Sequence, residues 1–133
     1  MIAVDTSVLV DFFRGRKTAA ALRLEELERS RTPFSIPLVC CQEILQGARD
    51  SRQWKLLRDY LDTQILLHSE TPGKTHFDAA RIFFDCRRKG LTIRSTIDCW
   101  IAQTVLESDG VLLHDDQDFE HIKLVRPLKT LCG

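Results

Sequence analysis

The sequence predicts an α/β protein, a three-layer α/β/α sandwich built on a short, mainly parallel central sheet. Three observations carry that expectation. Four short apolar runs read as strands: "MIAV" (1–4), "FSI" (34–36), "QILL" (64–67) and "GVLL" (110–113). Each is separated from the next by sequence of helical periodicity, and parallel neighbours need crossovers of that kind. The 133 residues suit a single domain, 1–133, and are too few for two typical ones.

Taken in order, "SVLVDFF" after the first strand reads as one or two turns of helix stopped by Gly15. "TAAALRLEELERS" is an amphipathic helix with Leu22, Leu27 and several alanines on its buried side. Pro37 is well placed for a helix start, and the helix it opens, "LVCCQEILQGA", ends near Gly47. "SRQWKLLRDYLD" sets Trp54, Leu57 and Leu61 at helical spacing. "KTHFDAARIFFDCRRKG" repeats Phe77, Ala80 and Phe84 at intervals of three and four until Gly90, a C-cap glycine. "STIDCWIAQTVLES" supplies the helix before the last strand.

Hydrophobic residues make up 44% and charged residues 29%, the balance of an ordinary globular chain rather than a disordered one. The 19 basic and 19 acidic residues cancel, so a nucleic-acid partner would have to be held by local basic patches or by metal, not by overall charge. No apolar run approaches the roughly 18 residues of a membrane span, and the N-terminus lacks the pattern of a signal peptide. A cytoplasmic location, with no membrane partner, is the expectation. Cys40, Cys41, Cys86, Cys99 and Cys132 offer no C-x-x-C spacing and are expected as reduced, mostly buried thiols.

In parallel sheets the ligand site lies beyond the carboxyl ends of the strands, which puts Asp5 and Asp116 on one rim. Asp116 belongs to "VLLHDDQDFEHI", where an apolar run breaks into Asp115, Asp116 and Asp118. Asp98 shares its helical face with Ile101, Ala102 and Val105, an apolar setting for a carboxylate. A second account of Asp98 is open: in a first turn behind Ser95 and Thr96 it also favours the helix dipole. Asp5 likewise suits an Asx-turn or N-cap. Glu43 lies mid-helix, with Val39 four residues before and Gly47 four after.

Carboxylates that converge on one rim raise each other's pKa unless something positive neutralises them. Magnesium or manganese is the economical answer, since both take hard oxygen ligands. Such a site polarises a phosphoryl group and activates water, so phosphodiester hydrolysis is the natural reaction. A haloacid-dehalogenase type of phosphatase would want a second aspartate where Ser7 stands. A receiver domain would want an acidic pair after its first strand, which is absent.

The order "MIAVDTSVLVDFFRG", a helical Glu43, "STIDCWIA" and "LLHDDQDF" resembles the PIN-domain ribonucleases, specifically the VapC-like toxins of toxin–antitoxin pairs, over essentially the whole chain. The resemblance implies an acidic quartet at Asp5, Glu43, Asp98 and Asp116, with metal held by Asp5, Asp98 and Asp116. It gives Ser7 and Asp118 supporting places. It also implies magnesium- or manganese-dependent cleavage of RNA, inhibition by a cognate antitoxin, and frequent homodimerisation. Similar proteins usually carry a small hydroxyl residue where this chain has His114, which opens a contact to substrate phosphate beside tolerated variation.

Arg14, Arg16 and Lys17 lie close in sequence to Asp5 and are, with His114, the candidates for RNA contact. Arg87, Arg88 and Lys89 suit a helix C-terminus, where cations are favoured. Trp54 and Trp100, at helical spacing among apolar neighbours, are expected in the core. Single-stranded or looped RNA is the expected target, since base reading favours unpaired segments. The rival reading is a catalytically inactive PIN-like module that binds RNA or a partner protein.

Overall fold

The computed structural model describes residues 1–132. Its sheet is parallel throughout, in the order β3-β2-β1-β4-β5. The strands are β1 (Ile2–Val4), β2 (Phe34–Pro37), β3 (Ile65–Leu67), β4 (Val111–His114) and β5 (Lys129–Cys132). Between them run helices α1 (Thr6–Phe13), α2 (Ala19–Arg29), α3 (Leu38–Gln46), α4 (Ser51–Asp62), α5 (Pro72–Arg88), α6 (Thr96–Glu107) and α7 (Gln117–Ile122).

The handedness of parallel crossovers explains the three layers. The chain steps outward from β1 to β2 to β3, then returns to place β4 on the other side of β1. Right-handed connections made in opposite directions put their helices on opposite faces. Accordingly α1 packs on α2 and α3, with α4 on α3, while α5, α6 and α7 pack together. The reversal falls between β1 and β4, and a crevice at the carboxyl ends of such a pair is where α/β sheets bind ligands.

Val4, Ile36, Leu112 and Leu113 are fully buried in the sheet, and Val8, Leu9, Leu24, Ile82 and Ile101 cover it. Burying each such side chain is worth about 1.5–3 kcal/mol. Gly15 and Gly90 follow α1 and α5 with φ of 71° and 76°, the left-handed conformation that ends a helix most easily at glycine. Cys40, Cys41, Cys86 and Cys99 are free and buried, as expected; the Cys132 side chain lies outside the described residues. No helix among the described residues is long and apolar enough to cross a membrane.

Several expectations need correction. The strand β5 was not foreseen, because "KTLC" is a brief run that opens on two polar residues. In α2 the buried side is Ala20, Ala21 and Leu24, whereas Leu22 is exposed. In α5 the inward stripe is Thr75, Ala79, Ile82 and Cys86; Phe77 is 81% exposed, and Ala80 and Phe84 also face solvent. Both helices carry more than one apolar stripe, and spacing alone does not say which one the sheet accepts. Trp54 is exposed rather than in the core, while Trp100 is partly buried against it, with the His76 ring tilted at 44° beside it and 4.5 Å between centroids. Pro72, in the first turn of α5, starts that helix two residues before the expected lysine.

Candidate active site

Asp5 leaves β1 while still in the ladder, its N–H donating to Leu113 O at 3.0 Å. It caps α1: its Oδ2 accepts from the Ser7 N–H at 3.0 Å and the Ser7 hydroxyl at 2.6 Å. The Ser7 Oγ then accepts from the Asp115 N–H at 3.0 Å, tying the ends of β1 and β4 together. The cap account of Asp5 is therefore correct, but it uses one carboxylate oxygen only. Oδ1 is buried and has no hydrogen-bond partner among the described residues. Burial pushes the Asp5 carboxyl up, against the pull of the two Ser7 hydrogen bonds, and the Glu43 and Asp116 charges add to the rise.

Asp98 occupies the first turn of α6 and is buried. Burial, a hydrogen bond shared with Asp118, and the charges of Asp5, Asp116 and Asp118 push its carboxyl up to about 9. Asp116 caps α7, its Oδ1 accepting from the Asp118 N–H at 2.9 Å. Asp98, Asp116 and Asp118 each offer an oxygen within 4.8 Å of the others, close enough for one cation to bridge.

Distance makes Asp118 a ligand candidate, yet its hydrogen bonds argue for a different part. Both its oxygens accept from the Arg94 N–H at 3.1 Å, and Oδ2 also accepts from the Ser95 N–H at 3.0 Å. Although burial works the other way, the Asp98 hydrogen bond, these two N–H groups and the Arg94 charge lower its pKa. Asp118 is thus an ionised anchor for the loop entering α6, with most of its acceptor capacity already used. Asp5, with one oxygen bare, has more to offer an ion.

Glu43, on α3, is half-buried and accepts from the Thr6 hydroxyl at 2.7 Å. Thr6 immediately follows Asp5, so the chain that aims the first aspartate also aims Glu43. The Arg94 guanidinium reaches Asp116 Oδ1 at 3.1 Å and lies 3.8 Å from Asp118, with its side chain 70% exposed. Neither Thr6 nor the placement of Arg94 was foreseen. Their signals are weak ones, adjacency to Asp5 and a cation four residues before Asp98.

His114 is buried, which speaks for a positioning part rather than for the contact to substrate phosphate that stood beside tolerated variation. Its Nδ1 accepts from the Asp116 N–H at 3.1 Å, and Nε2 meets Glu120 at 3.0 Å. The ring also packs on Phe119, centroids 5.0 Å apart. His114→Ala is expected to cost about 2 kcal/mol, from the orphaned N–H and lost packing. A denaturant midpoint equal to wild type would show that the Asp116 turn stands without it.

Of the other basic candidates, Arg16 pairs with Asp11 at 3.5 Å and Lys17 with Glu25 at 3.3 Å, so their charges are partly spent within the fold. Arg14 caps the far end of α1 and shares a groove with Glu43.

The arrangement is therefore four carboxylates, Asp5, Glu43, Asp98 and Asp116, around a sheet crevice, with Asp118 behind them. A buried bare carboxylate oxygen on Asp5 and the raised carboxyls of Asp5 and Asp98 are costly without a cation, and an all-oxygen donor set suits a hard divalent one. The chemistry open to such a centre is charge stabilisation at a phosphoryl group.

A family model described as "PIN domain" matches residues 2–124. The chain is 31% identical over 133 residues to the VapC ribonuclease Mb1587 of Mycobacterium bovis, covering 98% of this chain and 97% of that protein. Ribonuclease VapC11 of Mycobacterium tuberculosis matches with the same figures. Among solved structures, VapBC2 from Rickettsia felis bound to a promoter DNA fragment superposes with a TM-score of 0.73 at 18% identity, covering 100% of this chain and 99% of that one. VapBC-1 from nontypeable Haemophilus influenzae does so at 0.70 and 20%, covering 99% and 98%; these two likenesses speak for the fold.

Proposed function

The chain belongs to the PIN-domain family, and from that premise we propose that it is a metal-dependent endoribonuclease, the toxin of a toxin–antitoxin pair. One PIN-like domain over 1–133 carries the activity. RNA is the substrate, a cognate antitoxin the inhibitory partner, and a homodimer a frequent assembly of the family. A cytoplasmic location goes with that substrate.

The observation that carries the reading is the buried Oδ1 of Asp5, without a hydrogen-bond partner among the described residues, together with the carboxyls of Asp5 and Asp98, which burial and the charges of neighbouring acids push up. These residues fit magnesium or manganese, with Asp5, Asp98 and Asp116 as the holding set. Bound there, such an ion supplies charge that polarises a phosphoryl oxygen and makes a water nucleophilic near neutral pH. The protein's own residues do the positioning. Ser7 fixes Asp5 so that Oδ2 is spent and Oδ1 is free to ligate. Asp118 holds the start of α6 and with it Asp98. Glu43, steadied by Thr6 and half-exposed, orients the attacking water and takes its proton. Arg94, on the solvent side of Asp116, is placed to meet the anionic substrate.

The test is cleavage of total cellular RNA by the purified protein with magnesium or manganese, followed by mapping of the new 5′ and 3′ ends. Discrete cuts that chelation stops are the expected result. Divalent-ion binding seen by calorimetry with no cleavage of any RNA would favour the inert binding module instead.

A further inference from the structure

The C-terminal half of α5 carries a feature that the acidic centre does not use. Phe84 stands on the solvent side of the helix, and three guanidinium groups surround its ring. Those of Arg81, Arg88 and Arg87 lie 5.0, 5.7 and 5.8 Å from its centroid. Beside them, between α5 and the segment after α7, runs an open groove of about 640 Å³ whose lining includes Arg81, Asp85, Arg88, Lys89, Leu124 and Arg126.

Folding explains part of this. Cations in the last turn of α5 favour the helix dipole. Asp85 accounts for Arg81 and Arg126, with ion pairs at 3.0 Å to each, and the Arg126 hydrogen bond leads in holding its carboxyl low despite burial. Beyond the dipole and the Asp85 pairs, two observations point outward. Arg87, Arg88 and Lys89 have no ion pair among the described residues. Phe84, 36% exposed, is kept in water although the stripe facing the sheet is complete without it. The charge is also local: residues 81–94 hold five cations (Arg81, Arg87, Arg88, Lys89, Arg94) against one acid (Asp85), in a chain of zero net charge.

The patch leads to the acidic centre. Gly90 turns the chain, the Leu91 N–H closes back on Cys86 O at 2.9 Å, and Arg94 ends the stretch on Asp116. Arg88 and Arg94 are six residues apart, hence within about 20 Å even if the link were extended. A few nucleotides cover such a distance. Unpaired bases stack on phenyl rings and guanidinium planes, and their phosphates release counterions to Arg and Lys; a duplex hides its bases from such a platform.

Resting on the ribonuclease reading, we propose that Phe84, Arg87 and Arg88 form a docking surface for the single-stranded RNA that flanks the scissile phosphate. Arg94 is the step between this surface and the acidic centre.

The test uses the full chain and a fluorescent 2′-O-methyl single-stranded 16-mer, followed by anisotropy across a salt series, with cleavage of an unmodified tetranucleotide measured in parallel. For Arg87→Ala/Arg88→Ala the salt slope should fall by about 1.4, two phosphates at about 0.7 each, and Arg87→Lys/Arg88→Lys should restore it. Phe84→Ala should weaken binding roughly ten-fold with the slope unchanged, as loss of one stacked base does. Tetranucleotide cleavage should stay as in wild type. Wild-type affinity and slope in both alanine variants, or equal binding of a duplex 16-mer, would overturn the proposal and leave the ribonuclease reading intact. A wild type that binds through the patch but cleaves no RNA would sink that reading and leave the surface standing.

Discussion

Asp98→Asn should abolish RNA cleavage, by roughly a thousand-fold or more, and at the same time make the metal-free protein more stable at pH 8. The first effect follows from taking away a charged oxygen where charge must be stabilised. The second follows from the pKa of the acid. Its value is 3.8 ordinarily and about 9 in the fold, raised first by burial and then by its acidic neighbours. A folded-state value above the unfolded one means that folding takes up a proton between these limits. The contribution of Asp98 is therefore fully present below about pH 4 and is lost as pH rises through about 9. Asparagine has no such loss. At pH 8 the variant should melt about 3–8 °C above the metal-free wild type, an increment of about 1–2 kcal/mol. Near pH 4 the two should coincide. Magnesium or manganese should raise the wild-type melting temperature more at pH 8 than at pH 6, since the ion competes with that proton. Calorimetric scans at three pH values with and without ion measure this. A variant no more stable than wild type at pH 8 would mean that the acid is not raised in the fold, and retained cleavage, with contaminating nuclease excluded, would remove Asp98 from the site.

Asp118→Ala is expected to be the more damaging change to the fold. Its carboxylate accepts the Arg94 and Ser95 N–H groups and the hydrogen shared with Asp98. Each buried N–H left without an acceptor costs about 1–3 kcal/mol, and relief of the repulsion on Asp98 offsets part of that. A net loss of about 3 kcal/mol, or roughly 10 °C, is expected. Here the sign is opposite to that of Asp98. The Asp118 pKa is lowered in the fold, so its contribution is present above the ordinary carboxylate value and is lost as pH falls through the lowered one. Wild type and variant should therefore converge in acid and differ most near neutrality. Cleavage should fall by about ten- to a hundred-fold, the usual cost of removing a group that holds a ligand in place, and Asp118→Asn, which keeps one acceptor oxygen, should lose less of both. A variant as stable as wild type at pH 7 would show that the entry to α6 does not depend on this anchor.

The acids of the centre were legible because each breaks a local rule. Asp5 and Asp116 follow apolar strands directly, and Asp98 sits among Ile101, Ala102 and Val105 where a solvated residue would not. What those acids do was less legible. Asp118 passed for a helper by its place in a motif, and only its contact with the Arg94 N–H, 24 residues away in sequence, shows it as the ionised anchor. His114 passed for a group that could reach substrate, and its burial turns it inward to the Asp116 N–H.

By itself, then, the sequence determined the alternation of strand and helix, hence a parallel sheet with two covered faces, and the identity of the carboxylates at its rim. These follow from local period and from handedness, which a single chain carries along its length. Only the tertiary structure decided the phase of α2 and α5, the pairing of β5, and the exposure of Phe84. It alone divided the acids into one with a bare oxygen and one already bonded. Periodicity sets the spacing of apolar residues but not which stripe turns inward, and hydrogen bonds between distant segments exist only once packing brings those segments together.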